Sequence, residues 1–238
     1  MSSHRRRRSW LRWVLVAAAA VVVLAVGVPF IYIHFIEGPA PAPLGLGATP
    51  GSGVAGSGQA AADAPLAGTW AVTTGSRAGY RVNEVLAGQN NVAVGRTSSV
   101  AGHLTLSRTA VTAGSFTVQM ATIRSDRSQR DAQFDGRIMD VATYPTGTFT
   151  LTRAISLAPV PATSKIRTYH ATGNLTLHGH TRQVTFALSA ERTATQIRVS
   201  GAIPITFADW DIPNPSFAGF VTTENHGVLE FLLVFRRA

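Results

Sequence analysis

From Leu66 onward the chain predicts an all-β, antiparallel domain of about eight strands, and three observations carry that expectation. Apolar residues alternate with polar ones in short runs, the period-two signature of strands half-buried on one face. Threonine and serine fill most of the opposite positions, as on a solvated sheet face. The breaks between runs are turn-like: "TAVTAG" divides two of them, and "HGHT" joins two others as a hairpin around Gly179. Such a set of strands fits a closed barrel or a sandwich, and alternation is the same in both.

The elements before that domain differ in kind. Residues 1–12 form a basic tail with Arg5 to Arg8 and Arg12, expected to be cytoplasmic. Residues 13–35, "WVLVAAAAVVVLAVGVPFIYIHF", carry no formal charge. As a helix they would extend about 34 Å, enough for a hydrocarbon core of about 30 Å. Trp10 and Trp13 at one end and Tyr32 near the other sit like interfacial aromatics. The expectation is a transmembrane anchor that leaves the following domain extracytoplasmic. The rival reading is a cleaved signal peptide, whose apolar region is ordinarily about 7–15 residues and ends in small residues. Residues 36–65, rich in Gly, Ala and Pro, have too little bulk to order themselves and read as a flexible, disordered linker. The domain itself is expected over residues 66–238.

Charge and composition narrow the partners. The net charge is +9, with a single lysine, Lys165, and, from Leu66 onward, arginines dispersed one at a time except for Arg236-Arg237. No basic-aromatic motif accompanies them, so nucleic acid is not expected as a partner, whereas an anionic membrane surface is. There is no cysteine, which excludes disulfides, thiolate metal sites and a cysteine nucleophile.

Within the domain the strands follow in order. "HLTLS" places Leu104 and Leu106 on one face, and "FTVQM" does the same for Phe116, Val118 and Met120. After an interruption, "TFTLT" aligns Phe149 and Leu151, "GNLTL" aligns Leu175 and Leu177, and "VTFAL" aligns Val184, Phe186 and Leu188. "VLEFLLVF" aligns Leu229, Phe231, Leu233 and Phe235, with Glu230, Leu232 and Val234 on its other side. The interruption, "RDAQFDGRIMDVATYP", breaks the alternation. Ser125 or Asp126 is a candidate cap, Arg127 and Asp131 are spaced to pair on a helix, and Phe134 and Ile138 supply an apolar stripe. Gly136 weakens the helix and Pro145 stops it before a strand expected at Thr148. A short helix, or two, should cross one end of the strands.

At Arg130-Asp131, Asp140, Tyr144-Pro145 and Phe149 the sequence resembles the YceI-like family of lipid- and polyisoprenoid-binding proteins. A second stretch, "GNLTLHGHTRQVTF", is similar to the family's Gly-x-Leu-Thr-x-x-Gly-x-Thr-Arg/Lys-x-Val segment. The likeness covers Gly68 to Arg237. It implies a lipocalin-like β-barrel with a helical insert, an elongated apolar cavity for an isoprenoid chain, and a place in the bacterial envelope. The stretch "DWDIPNPSFAGFVTTENHGVLEF" departs from the family pattern, which often has Arg-Ser-x-Phe-Gly there.

The expected function is therefore sequestration of a polyisoprenoid or isoprenoid quinone, with no catalysis and no resident cofactor. The candidate ligand-binding residues are Phe116, Val118, Met120, Phe149, Leu151, Leu175, Leu177, Phe186, Leu188, Phe231 and Leu233, with Arg130 reaching a polar head at the mouth. The same apolar faces would fill a dry core in an interaction module, and Arg130 would equally serve as a helix ion pair. Asp131 and Asp135 are spaced like a carboxylate pair, the basis of a third reading as an enzyme on an isoprenoid-type substrate. His178 and His180 supply at most half a metal site. Trp210, Asn214 and Phe217, in a proline-containing loop, either gate an entrance or pack over the barrel end.

Overall fold

The computed structural model describes residues 13–21, 23, 40–47, 66–86, 88–160, 163–217, 219 and 221–238. Its strands are β1 (Gly68–Val72), β2 (Arg77–Leu86), β3 (Gln89–Thr97), β4 (Val100–Leu106), β5 (Ala110–Gln119), β6 (Thr146–Leu151), β7 (Ile155–Ser156), β8 (Arg167–Leu177), β9 (His180–Arg192), β10 (Ile197–Thr206), β11 (Val221–Thr223) and β12 (His226–Arg237). β1 and β2 are two parts of one bent stave, since both pair with β12, through Val72↔Phe235 and Arg77↔Leu232. β3 and β4 form the second stave, against β2 and β1 respectively. β5, β6, β8, β9, β10 and β12 follow, each antiparallel to the one before. The last stave returns to the first, so eight staves close an up-and-down barrel. Closure excludes the sandwich that alternation alone left open.

Local sequence explains the joints. The β8–β9 hairpin turns on His178 and Gly179, both at positive φ (46° and 77°), the signature of the tight turn that matches strand twist. The interruption is helical, as expected: α1 (Ser128–Gln133) runs directly into a π-turn, Phe134–Ile138. Its cap differs from the expectation. Arg127 is the cap position, and no side chain hydrogen-bonds there. Ser125 and Asp126 instead serve side-chain contacts: Ser125 Oγ donates to Asp131 Oδ1 at 2.7 Å, and Asp126 pairs with Arg130. β6 begins at Thr146, two residues before the expected start, because Met120 N–H bonds the Pro145 carbonyl and draws the chain into register early.

The insert covers one barrel end, called here the insert end. Phe134 and Met139 are buried there, and Tyr144 packs on the hairpin turn with its ring 4.5 Å from that of His178. The opposite end carries the β4–β5 and β9–β10 turns, the start of β1 and the end of β12. Trp70 and Phe235, both almost fully buried, close the packing beneath it.

The structure departs from expectation in the linker. Residues 40–47 lie against the outside of the barrel instead of hanging free. Arg81 and Arg96 donate to the Pro41 and Ala42 carbonyls, Leu44 N–H donates to Glu230 Oε2 at 3.3 Å, and Leu46 is buried. A Pro-rich segment needs little ordering entropy to lie extended, and three polar contacts with a buried leucine hold it. Residues 13–21 are helical, but much of the expected span 13–35 lies outside the described residues. Among the described residues no helix is long and apolar enough to cross a membrane.

Candidate ligand-binding cavity

The barrel is hollow. A cavity of about 710 Å³ runs inside it, within the range of small-molecule sites. All twelve residues singled out from the sequence reach its wall: Phe116, Val118 and Met120 from β5 and its end, Arg130 from α1, Phe149 and Leu151 from β6, Leu175 and Leu177 from β8, Phe186 and Leu188 from β9, and Phe231 and Leu233 from β12. Period two explains why they converge. Inward positions recur at every second residue, and closure directs every such face to one axis.

Phenylalanines form a belt part-way along the axis. The Phe116 and Phe149 rings lie 6.3 Å apart, Phe149 and Phe186 5.4 Å, and Phe186 and Phe231 5.9 Å. Phe149 and Phe186 meet although β8 runs between their strands. They can do so because β8 presents Ala171 and Gly173 there: a Cβ on Gly173 would lie 2.4 Å from Phe149 Cζ. Gly201 of β10 leaves the same allowance for Phe231. Small residues beneath the rings thus let eight staves carry large aromatics and still enclose empty space.

The insert end holds the polar part of the wall. Arg130 Nη2 donates to Glu84 Oε1 at 3.0 Å, and Asn91 Nδ2 donates to the same oxygen at 2.9 Å. Glu84, 8% exposed, projects inward with Tyr80 and Val82 from β2. The Tyr80 ring stacks on Phe134 at 5.1 Å, tying the insert to the barrel wall. Burial pushes the Tyr80 hydroxyl well above its ordinary pKa. Burial also works against the Arg130 charge, but the Glu84 and Asp126 carboxylates outweigh it and raise the guanidinium's pKa. Arg130 is therefore in the cavity wall, yet two carboxylates already neutralise it.

The other candidates separate. Asp131 accepts from Ser125, whereas Asp135 pairs with Arg124 at 3.4 Å, so the two carboxylates serve different partners. His178 Nδ1 lies 3.3 Å from the Trp210 carbonyl, and His180 is exposed. Trp210 is buried, with Nε1 directed at the Leu175 carbonyl, and Asn214 staples its loop to residues 223–225. Those two pack. Phe217, 56% exposed and on the cavity wall, is the one of the three placed to gate an entrance.

Sequence reasoning missed Glu84, Tyr80 and Phe134 as a unit. The signal was present in "AGYRVNEVL": Ala78, Tyr80, Val82 and Leu86 alternate, and Glu84 occupies an inward position among them.

A closed antiparallel barrel with a lidded apolar interior defines a class: hollow β-barrels with room for one elongated apolar ligand. Within that class the chain belongs to the YceI-like domain family, whose sequence model matches residues 70–235. Its fold is similar to that of a polyisoprenoid-binding domain from Saccharophagus degradans implicated in plant cell wall breakdown. That match has 16% identity, covers 71% of this chain and 98% of that one, and has a TM-score of 0.59. BcnA of Burkholderia cenocepacia is similar at 20% identity over 65% of this chain and 95% of its own, with a TM-score of 0.49. A YceI protein of Campylobacter jejuni is similar at 15% identity over 60% and 84%, with a TM-score of 0.50. At such identities the likeness is one of fold. No curated protein matches the sequence.

Proposed function

We propose that this protein is a membrane-tethered, extracytoplasmic binding protein that sequesters a long-chain amphiphile, a polyisoprenoid or an isoprenoid quinone, in its barrel. The observation that carries the reading is the cavity of about 710 Å³, lined almost wholly by apolar side chains. A filled-core interaction module would have packed that space. The similar Saccharophagus degradans domain is described as polyisoprenoid-binding, which supports the ligand class.

The mechanism is burial, not turnover. Each CH₂ removed from water contributes about 0.8 kcal/mol, so some ten of them supply about 8 kcal/mol, the scale of micromolar affinity before ordering costs. The Phe belt and the flexible Met120 thioether adapt to a branched chain. The polar mouth at Arg130, Glu84 and Asn91 offers hydrogen-bonding groups to a head. Tethering and an extracytoplasmic place rest on the basic tail and the uncharged run 13–35.

The test is mass spectrometry of an organic extract of the purified chain, together with uptake of added polyprenol and menaquinone. An isoprenoid in the extract, or saturable uptake of either compound, supports the reading. An empty barrel that takes up neither sinks it.

A further inference from the structure

The two barrel ends differ in charge. Among the described residues of the barrel, every carboxylate side chain except Glu191 and Glu230 lies on the insert side. The opposite rim presents Arg108, Arg153, Lys165, Arg167, Arg236 and Arg237, all exposed. These come from four separate places in the chain: the β4–β5 turn, the turn after β6, the approach to β8 and the end of β12. Glu191 is the one carboxylate side chain at that rim among the described residues, and it is paired with Arg198 at 3.4 Å.

The same rim exposes apolar surface. Ile166 is 54% and Val160 40% exposed, both in the segment between β7 and β8, and Ile166 lies between the Lys165 and Arg167 charges. Val160 and Leu66 also line the cavity, so its wall extends to this rim. The insert end exposes Phe217 and Val85 too, but its charges are mixed: Asp126, Asp209, Asp211 and Glu224 are interspersed with Arg124, Arg137 and Arg182, and Arg137 bonds the Asn214 and Pro215 carbonyls beside Phe217. Apolar side chains among cations fit an anionic bilayer surface better than apolar side chains among charges of both signs.

Connectivity agrees: β1 starts at this rim, so the chain enters the barrel from that side.

We propose that the rim opposite the insert docks on the anionic face of the bilayer, with Ile166 and Val160 entering the interface and Arg108, Arg153, Lys165 and Arg167 facing lipid phosphates. The barrel then stands with its uninserted end on the membrane, where the apolar cavity wall reaches the rim at Val160 and Leu66. The orientation rests on the membrane-tethered reading above, but it is measured independently of whether the cavity holds ligand.

The chain has no cysteine, so a single introduced one can carry a polarity-sensitive fluorophore. The full chain, labelled at Ile166→Cys or Phe217→Cys, is reconstituted into phosphatidylcholine vesicles with or without about 30 mol% phosphatidylglycerol and a lipid-borne quencher. The Ile166→Cys label should shift to the blue and be quenched only with phosphatidylglycerol present. About 0.5 M salt should reverse this, since it shortens the screening length. Adding Arg153→Glu and Arg167→Glu should reduce the quenching at least tenfold. Circular dichroism of that variant checks that the barrel stays folded, as expected for exposed side chains. The Phe217→Cys label should stay in water throughout. Quenching at Phe217→Cys in place of Ile166→Cys, equal quenching without phosphatidylglycerol, or quenching that survives the charge reversal overturns the proposal. Isoprenoid content of the same preparation is read separately, so an empty cavity would count against the ligand and leave the orientation standing.

Discussion

Arg130 and Glu84, 46 residues apart in sequence, form a 3.0 Å ion pair inside the mouth of the barrel. One comes from the helical insert and the other from an inward position of β2. The pair joins lid to wall. The arginine that helps to mark the family in sequence thus spends its charge first on the barrel's own carboxylate.

Arg130→Ala leaves Glu84 buried without its cation. Losing one partner of a buried pair costs about 3–5 kcal/mol, and solvent at the mouth places this case near 3 kcal/mol. Urea unfolding of Arg130→Ala, Glu84→Ala and the double variant checks it. The double variant should recover a measurable part of the loss, a coupling of about 1–3 kcal/mol. Additive losses would mean that the pair does not hold the insert.

Tyr80 predicts a pH dependence at the alkaline end. Its folded pKa is raised by burial, so the folded chain holds the phenol proton more tightly than the unfolded chain does. The resulting stability is complete below the ordinary tyrosine pKa of about 10 and declines as pH rises beyond it. Chemical unfolding between pH 8 and about 11 should show this fall, and Tyr80→Phe should flatten it relative to the parent chain.

Gly173→Ala places a methyl 2.4 Å from both Phe149 Cζ and the Thr150 carbonyl oxygen. The ring can swing but the strand backbone cannot, so the change should cost about 1–3 kcal/mol as overpacking. Thermal unfolding reads the loss, and a displaced Phe149 should alter the ring-current shifts of Phe186 and Phe116, its neighbours in the belt.

Glu230→Ala should free the strap. Glu230 is 4% exposed although it lies on the outer face of β12, because Arg81, Arg96 and the Leu44 amide all converge on it. Without the carboxylate, amide exchange over residues 40–47 should quicken at least tenfold while β8 and β9 remain protected. Unchanged exchange would show that Leu46 and the arginine–carbonyl contacts suffice.

Much of the barrel is legible in one dimension. Phe116, Val118 and Met120, or Phe231 and Leu233, share a face because strand side chains alternate with period two, and that needs no knowledge of neighbours. His178-Gly179 is a turn by its own conformational freedom, and the insert is helical by its broken alternation. Tertiary structure alone decided the rest: that the sheet closes, that the space inside stays open, that Glu84 meets Arg130, that Glu230 meets Arg96 across 134 residues and receives the strap, and that the carboxylates gather towards one rim. The reason is physical. Alternation depends on each strand's own pleat, whereas closure, long-range ion pairs and the distribution of charge depend on register between strands, which no single strand encodes.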